Sequence, residues 1–149
     1  MRVFLDANVL FTAAHNPLGK AALLFEFEAS GAWKLCSSHY ALEEARRNLV
    51  RVFPKALGRL DALQTQIRLV DHRADLPVLV GLAQKDQPVF QGAIACRATH
   101  LLTGDLKDFG PFMNRKEKTC SILIQTVAEF LMQRSGVSKR QSDEKGGLL

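Results

Sequence analysis

Five short apolar runs alternate with helix-length segments along this chain, and that alternation is what most constrains its fold. The runs cover residues 3–5, 33–37, 67–70, 100–103 and 121–124. Short apolar strands separated by helices are typical of a parallel sheet whose two faces are both covered. The sequence therefore predicts an α/β fold with a central parallel sheet.

The segments between these runs carry start and stop signals for helices. Helices are predicted over residues 16–29, 39–52, 55–66, 86–98 and 126–133. Ser38 is a suitable N-cap for the second of these helices, and Pro54 enforces its end. In the first helix, Leu18 falls at the spacing of the inward face. Residues 71–85 are compatible with either a helix or a loop.

Residues 1–133 are predicted to form one domain, and residues 134–149 a flexible C-terminal tail. The tail lacks apolar periodicity and is rich in Ser, Gly and Lys. With 47% hydrophobic and 23% charged residues, the chain has the composition of a soluble globular protein. No apolar run approaches the roughly 20 residues that span a bilayer. We expect a cytoplasmic protein with no membrane association.

The three cysteines, Cys36, Cys96 and Cys120, share no spacing typical of a metal site or a disulfide framework. We expect all three to be reduced and buried. The formal net charge is +5, which favours polyanionic partners through the long-range field.

Four acidic residues stand at the ends of predicted strands or at the start of a predicted helix. Asp6 directly follows the first strand, Asp86 opens a helix, and Asp105 and Asp108 follow the strand at 100–103. The carboxyl ends of parallel strands share one edge of the sheet, where ligands gather. We therefore expect these carboxylates to meet and to bind a divalent metal ion.

Oxygen ligands of this kind suit Mg²⁺ or Mn²⁺, and carboxylates crowded together are costly without a cation. One or two such ions can activate water and neutralise the charge of a phosphate group during cleavage. Each acid also has a structural interpretation: Asp86 as an N-cap, Asp105 as a turn residue and Asp108 as a surface residue. Glu43 and Glu44, early in the helix at 39–52, are further candidates for the same edge. Asp6-Ala7-Asn8 is interpreted as a turn after the first strand.

Several motifs together resemble the PIN-domain nucleases, including the VapC-type toxins of bacterial toxin–antitoxin pairs. The matching motifs are FLDANVL, EEARRNL, KDQPVFQGAIACRATHLLTGDLKDF and VAEFL. They span residues 3–131, and the long third motif is the most specific of them.

The resemblance implies a three-layer α/β/α sandwich, similar to PIN and Rossmann-like folds, with metal-dependent endoribonuclease activity. It assigns Asp6, Asp86 and Asp105 to a Mg²⁺ or Mn²⁺ site, with Asp108 as an additional acid. Glu44 matches the glutamate of the family better than Glu43, which remains possible.

The same resemblance gives Thr103 and Asn8 supporting roles. Thr103 is expected to hydrogen-bond a site carboxylate or the substrate, and Asn8 to shape the turn after the first strand. RNA, a small antitoxin that inserts a basic residue among the acids, and a second copy in a homodimer are the expected partners.

Basic side chains near the predicted site are candidates for phosphate contacts. Arg46, Arg47 and Arg51 lie in a segment with an excess of basic residues, and Lys107 lies between two site acids. Such contacts supply affinity and salt dependence rather than sequence recognition.

Two other functions compete with a nuclease. The chain could be a catalytically silent PIN-like module that binds RNA or protein, although all the expected acids are present. A response-regulator-like phosphoacceptor also places acids at strand ends. That class normally has an acidic pair after the first strand, whereas here one acid is followed by Ala7-Asn8.

Overall fold

The computed structural model describes residues 1–134, and within them five strands form one parallel sheet. The strands are β1 (Arg2–Leu5), β2 (Lys34–Ser38), β3 (Ile67–Val70), β4 (His100–Leu102) and β5 (Leu123–Gln125). Their order in space is β3-β2-β1-β4-β5, with every neighbouring pair parallel. The order of strands switches at β1, so the carboxyl ends of β1 and β4 form the crevice where such sheets bind ligands.

Seven α-helices lie within the same described residues. They are α1 (Ala7–His15), α2 (Lys20–Ala29), α3 (His39–Val52), α4 (Leu57–Gln64), α5 (Gln87–Ala95), α6 (Leu106–Phe109) and α7 (Val127–Arg134). Single 3₁₀ turns cover Pro54–Ala56, Gln84–Asp86, Gly110–Phe112 and Lys116–Lys118. None of the helices in residues 1–134 combines the length and the apolar character needed to cross a membrane.

Separate hydrophobic clusters cover the two faces of the sheet. Val3 and Leu5 of β1 pack on one face with buried residues of α1, α2, α3, α4 and α7. Phe4 lies between them in sequence and therefore points to the opposite face, where it packs with α5 and Leu101. This arrangement confirms the predicted three-layer α/β/α sandwich.

Gly92 allows α5 to approach the sheet closely. A Cβ atom at this position would lie 2.9 Å from Cζ of Phe4 and 3.3 Å from Cβ of Ser38. The first distance is shorter than real carbon contacts, so a larger residue would push α5 away from β1. Since Asp86 immediately precedes α5, the packing of this helix also determines where Asp86 lies.

The prediction of a turn at Asp6-Ala7-Asn8 was wrong, because helix α1 begins at Ala7. Asp6 is its N-cap, and its side chain accepts a hydrogen bond from the Ala7 amide. Val9 and Leu10 of α1 are buried against the sheet. The site acid thus begins a helix as well as ending a strand.

Three other predictions also need correction. The helix expected from residue 16 begins at Lys20 with Gly19 as its N-cap. Leu18 therefore lies in the connection and is 97% exposed instead of facing inward. Cys36 and Cys96 are free and buried as expected, but Cys120 is exposed. Cys120 adopts a left-handed φ of 53° in the turn before β5.

The ambiguous segment at 71–85 forms an irregular connection that ends in the 3₁₀ turn Gln84–Asp86. Helix α7 continues to Arg134, one residue past the predicted end of the domain. The remainder of the predicted tail, residues 135–149, lies outside the described part of the chain.

Candidate active site

The carboxyl ends of β1 and β4 bring Asp6 next to the turn that carries Asp105. The backbone amide of Asp6 donates a hydrogen bond to the carbonyl oxygen of Leu102, at 3.0 Å. The carboxylate of Asp6 accepts a hydrogen bond from the Ala7 amide through Oδ1, at 2.7 Å. Asp6 is 4% exposed, so this acid is buried at the predicted edge of the sheet.

A network of hydrogen bonds fixes Asp6 and the turn after β4 together. The hydroxyl of Thr103 donates to Oδ2 of Asp6 at 2.7 Å and accepts from the Asp105 amide at 3.0 Å. The side-chain amide of Asn8 donates to the same Oδ2 at 3.2 Å, and its Oδ1 accepts from the Gly104 amide at 2.7 Å. Thr103 and Asn8 thus both hydrogen-bond the carboxylate of Asp6, and Asn8 links the first turn of α1 to the turn after β4. We call these bonds the Thr103–Asn8 network.

Three further carboxylates form an acidic cluster beside this network. One oxygen from each of Asp86, Asp105 and Asp108 lies within 4.8 Å of the others. The amide of Asp108 donates to Oδ1 of Asp105 at 3.0 Å, which holds these two acids in one turn of helix α6. Lys85 places its Nζ 3.3 Å from Oδ2 of Asp108 and provides a nearby positive charge.

A cavity of about 280 Å³ joins Asp6 to this cluster. It is lined by Asp6, Ala7, Asn8, Phe11, Glu44, Asn48, Arg51, Val52, Lys85, Asp86 and Asp105. The structure therefore brings the four acids predicted as catalytic to one cavity: the acids that follow β1 and β4, the one before α5, and a glutamate of α3. Asp108 belongs to the acidic cluster but not to the residues that line this cavity.

The surroundings of two of these acids disfavour their negative charge. Burial raises the pKa of Asp6 to about 6, against the lowering effect of its bonds from Thr103 and Ala7. Burial, together with the neighbouring Asp108 and Asp105, raises the pKa of Asp86 to about 7, against the lowering effect of Lys85. A hydrogen bond shared with Asp86, together with Lys85, lowers the pKa of Asp108. Such crowding of carboxylates is what a bound cation would relieve.

The donor atoms of the acidic cluster are suited to a hard divalent cation. All of its side-chain donors are carboxylate oxygens, the ligands that Mg²⁺ and Mn²⁺ prefer. Oδ2 of Asp86 is buried and has no hydrogen-bond partner among residues 1–134. A buried, unpartnered carboxylate oxygen is costly unless something positive meets it. Asp86, Asp105 and Asp108 are therefore the residues that could hold an ion, with Asp6 on the same cavity.

The two candidate glutamates of α3 face different directions. Glu44 is half-buried and lines the cavity, and its charge is among the causes that raise the pKa of Asp6. Glu43 is exposed and is absent from the cavity wall. Of the two glutamates, Glu44 is the one that lines the cavity, and its role there stays a prediction.

The four candidate phosphate-binding residues are dispersed. Arg51 lines the cavity. Arg46 instead pairs with Asp61 of α4, with Nη2 2.9 Å from the carboxylate oxygen. Arg47 and Lys107 are exposed on α3 and α6. Of the four, Arg51 alone shares the cavity with the acids.

Two polar residues of the cavity, Asn48 and Lys85, were missed from the sequence. Asn48 follows Glu44 by four residues and Arg51 follows it by seven, the spacing of one helix face. That spacing would have identified Asn48. Lys85 directly precedes Asp86, but its sequence position alone could not show that its side chain reaches Asp108 in a different turn.

Solved structures with the same fold include toxin–antitoxin proteins. VapBC2 of Rickettsia felis, bound to a DNA fragment from its promoter, is 15% identical, with a TM-score of 0.59 over 85% of this chain and 98% of that chain. VapBC-1 of nontypeable Haemophilus influenzae is 13% identical, with a TM-score of 0.54 over 86% and 99%. VapC20 of Mycobacterium tuberculosis, a sarcin-ricin loop cleaving toxin, is 16% identical, with a TM-score of 0.53 over 73% and 94%.

No family model and no curated protein match the sequence. At 13–16% identity, the likeness to these structures establishes the fold. The chain therefore has the α/β fold of VapC-type toxins, as its motifs predicted, and it carries an acidic cluster and cavity at the carboxyl edge of the sheet.

Proposed function

We propose that this protein is a metal-dependent endoribonuclease and the toxin of a toxin–antitoxin pair. The observation that carries the proposal is the acidic cluster of Asp86, Asp105 and Asp108, whose oxygens lie within 4.8 Å of one another beside the cavity that Asp6 and Glu44 line. A solved structure of this fold is a toxin that cleaves the sarcin-ricin loop. The net charge of +5 also favours a polyanionic substrate.

Asp86, Asp105 and Asp108 would hold Mg²⁺ or Mn²⁺, with Asp6 completing the site from β1. The bound ion would supply Lewis-acid activation of water and neutralisation of phosphate charge. Asp6 is oriented for this by the Thr103–Asn8 network, which makes Thr103 and Asn8 positioning residues. Glu44 lines the same cavity from α3 and would accept a proton from an attacking water.

RNA would enter the cavity with its phosphates toward the basic side chains on its rim. Arg51 and Lys85 line the cavity and are the residues best placed for such contacts. Arg47 and Lys107 are exposed and could contact phosphates farther along the strand. These contacts would add affinity and salt dependence without reading sequence.

The cavity also suits a small antitoxin. Phe11 and Val52 add apolar surface beside the acids, and Val52 is 49% exposed. A partner segment with apolar side chains and one basic residue would bury this surface and neutralise the acids. Two solved structures of this fold are VapBC assemblies, which supports such a partner. A homodimer remains a prediction from the sequence.

Cleavage of RNA with and without Mn²⁺ or Mg²⁺ tests the proposal. We expect wild-type cleavage to require the ion and Asp105→Asn to lower kcat/KM roughly 100-fold or more, because even residues that only support a metal ligand contribute about 10- to 100-fold. Asp86→Asn should also lose the metal-dependent rise in thermal stability, about 2.7 kcal/mol at 100 times the dissociation constant. Asp75→Asn, which changes an exposed acid outside the cavity, is the matched control.

Cleavage that persists in chelator, or that Asp105→Asn leaves unchanged, would refute the metal mechanism. The absence of both cleavage and carboxylate-dependent thermal stabilisation by the metal would instead favour a silent RNA- or protein-binding module. If Asp75→Asn also lost cleavage and metal-dependent stabilisation, the effects would come from the change in net charge rather than from the acidic cluster.

A further inference from the structure

A second cavity, of about 780 Å³, adjoins the one described above on the other side of the turn after β4. It is lined by Asn8, Val9, Thr12, Lys20, Ala21, Thr103, Gly104, Asp105, Thr126, Val127 and Ala128. Asn8 and Asp105 line both cavities, so the second cavity adjoins the first at the acidic edge of the sheet. Its volume lies within the range of about 300–1,000 Å³ typical of ligand pockets.

The linings of the two cavities differ in chemistry. The first is dominated by the site acids, whereas Asp105 is the sole acid among the residues that line the second. The second cavity has an apolar wall formed by Val9, Ala21, Val127 and Ala128. Three threonines also line it, and their hydroxyls are hydrogen-bonded within the protein. Lys20, exposed at the start of α2, adds a positive charge at the rim of this cavity. An apolar wall beside one cation suits an unpaired base whose backbone phosphate meets that cation.

We propose that the second cavity binds the nucleotides on one side of the scissile phosphate of a single-stranded RNA, with Lys20 contacting their backbone. This inference rests on the proposed ribonuclease function. The scissile phosphate lies at Asp105, the one acid that lines both cavities, and the strand runs through both. Arg51 and Lys85 contact the strand on the first side, and Lys20 contacts it on the second.

The geometry favours single-stranded RNA over a duplex. Asp6 and Asp86 are buried in the wall of the first cavity, at 4% and 9% exposure, so a phosphate has to enter the cavity to reach them. A bent, unpaired strand can bring one phosphate to that depth and turn its bases toward the apolar wall. A duplex holds its bases inside and presents two backbones that are stiff over this distance.

Binding and cleavage by two charge-reversal variants test the proposal. Lys20→Glu changes the rim, and Lys34→Glu makes the same change at the first residue of β2, outside both cavities. An acid at the start of α2 suits the helix dipole, so the first variant should fold. Binding of unpaired RNA oligonucleotides is measured by fluorescence anisotropy in chelator, over a series of salt concentrations. Cleavage is then measured with Mn²⁺.

We expect Lys20→Glu to weaken binding of a long oligonucleotide several-fold and to lower the slope of log affinity against log salt by about 0.7, the contribution of one phosphate contact on a single strand. The oligonucleotide is then shortened in steps from the 5′ or the 3′ end. The difference in affinity between Lys20→Glu and wild type should disappear on shortening from one end and persist on shortening from the other. Ala128→Phe places a bulky side chain in the second cavity. It should reduce the affinity for long RNA to the affinity measured for the shortened strand. A thermal unfolding transition like that of wild type would show that the variant is folded.

Equal binding by wild type, Lys20→Glu and Lys34→Glu would overturn the proposal, as would a loss that occurs equally with RNA shortened from either end. The proposed ribonuclease function fails separately, if wild type binds RNA but cleaves none with Mn²⁺. A duplex bound as tightly as the single strand, and weakened equally by Lys20→Glu, would contradict the choice of substrate.

Discussion

Replacing Asp6 with asparagine removes a buried negative charge but keeps nearly the same side-chain shape. The change in the free energy of unfolding then measures what that charge costs the folded protein. Burial raises the pKa of Asp6 from the ordinary 3.8 to about 6. Because the folded pKa lies above the unfolded one, folding favours the protonated acid. Its contribution to stability is complete below about pH 4 and is lost as the pH rises through about 6.

The magnitude follows from the difference between the two pKa values. At about 1.36 kcal/mol per pKa unit, ionised Asp6 costs the folded protein about 3 kcal/mol at neutral pH. Asparagine keeps the oxygen that accepts from the Ala7 amide, but turns an NH₂ group toward Thr103 and Asn8, at a cost of about 1 kcal/mol at any pH. Relative to wild type, Asp6→Asn should therefore gain about 3 kcal/mol between about pH 4 and pH 8. Its net stabilisation at pH 8 should be about 2 kcal/mol.

Urea unfolding of wild type and Asp6→Asn in chelator, at about pH 4 and pH 8, measures how the stability difference between them changes with pH. Glu26→Gln is the control, since it removes a negative charge from an exposed position of α2 that lines neither cavity. A difference between Asp6→Asn and wild type that changes by less than about 1 kcal/mol between the two pH values would refute the reasoning. Saturating Mn²⁺ should reverse the order of stability at pH 8, because the ion binds the wild-type carboxylate more strongly.

Two further variants test other contacts. Lys85→Met removes the ammonium group 3.3 Å from Asp108, which competes with a metal ion for that carboxylate. We expect Mn²⁺ to bind about 3-fold more tightly in calorimetric titration, and unchanged affinity would contradict this competition. Gly92→Ala places a Cβ atom 2.9 Å from Phe4 and 3.3 Å from Ser38. We expect a loss of about 1–3 kcal/mol in urea unfolding; a variant as stable as wild type would show that α5 can shift without cost.

β1 and β4 were predictable from the sequence because each is a short, mostly apolar run in the interior of the sheet. The edge strand β3 alternates apolar and basic residues, and its Arg68 is exposed. Helix α1 was not, because its first residues, Asp6-Ala7-Asn8, also have the chemistry of a polar turn. The same Asp6 side chain that could stabilise a turn instead caps a helix. The prediction that Leu18 faces inward was wrong for a related reason. Pro17 was interpreted as the first turn of the helix, but it lies in the connection, and the helix begins at Lys20.

The candidate site was predictable where residue type and strand topology sufficed. The acids after β1 and β4 had to share an edge once both strands were parallel, and they do. The choice of Glu44 over Glu43 depended on the rotation of α3 about its axis. Contacts of Lys85 and Arg46 depended on side-chain conformations, which a single sequence does not specify. Arg46 turned to Asp61 instead of the cavity.

The Thr103–Asn8 network limits how Asp6 can bind a cation. A carboxylate offers about four lone pairs. Within residues 1–134, the Ala7 amide takes one on Oδ1, while Thr103 and Asn8 take both on Oδ2. One lone pair on Oδ1 is left. Asp6 can therefore act as a monodentate ligand without disturbing the network, and bidentate coordination would first have to displace a hydroxyl or an amide. The hydrogen bonds that orient this acid would thus also set its denticity toward a bound cation.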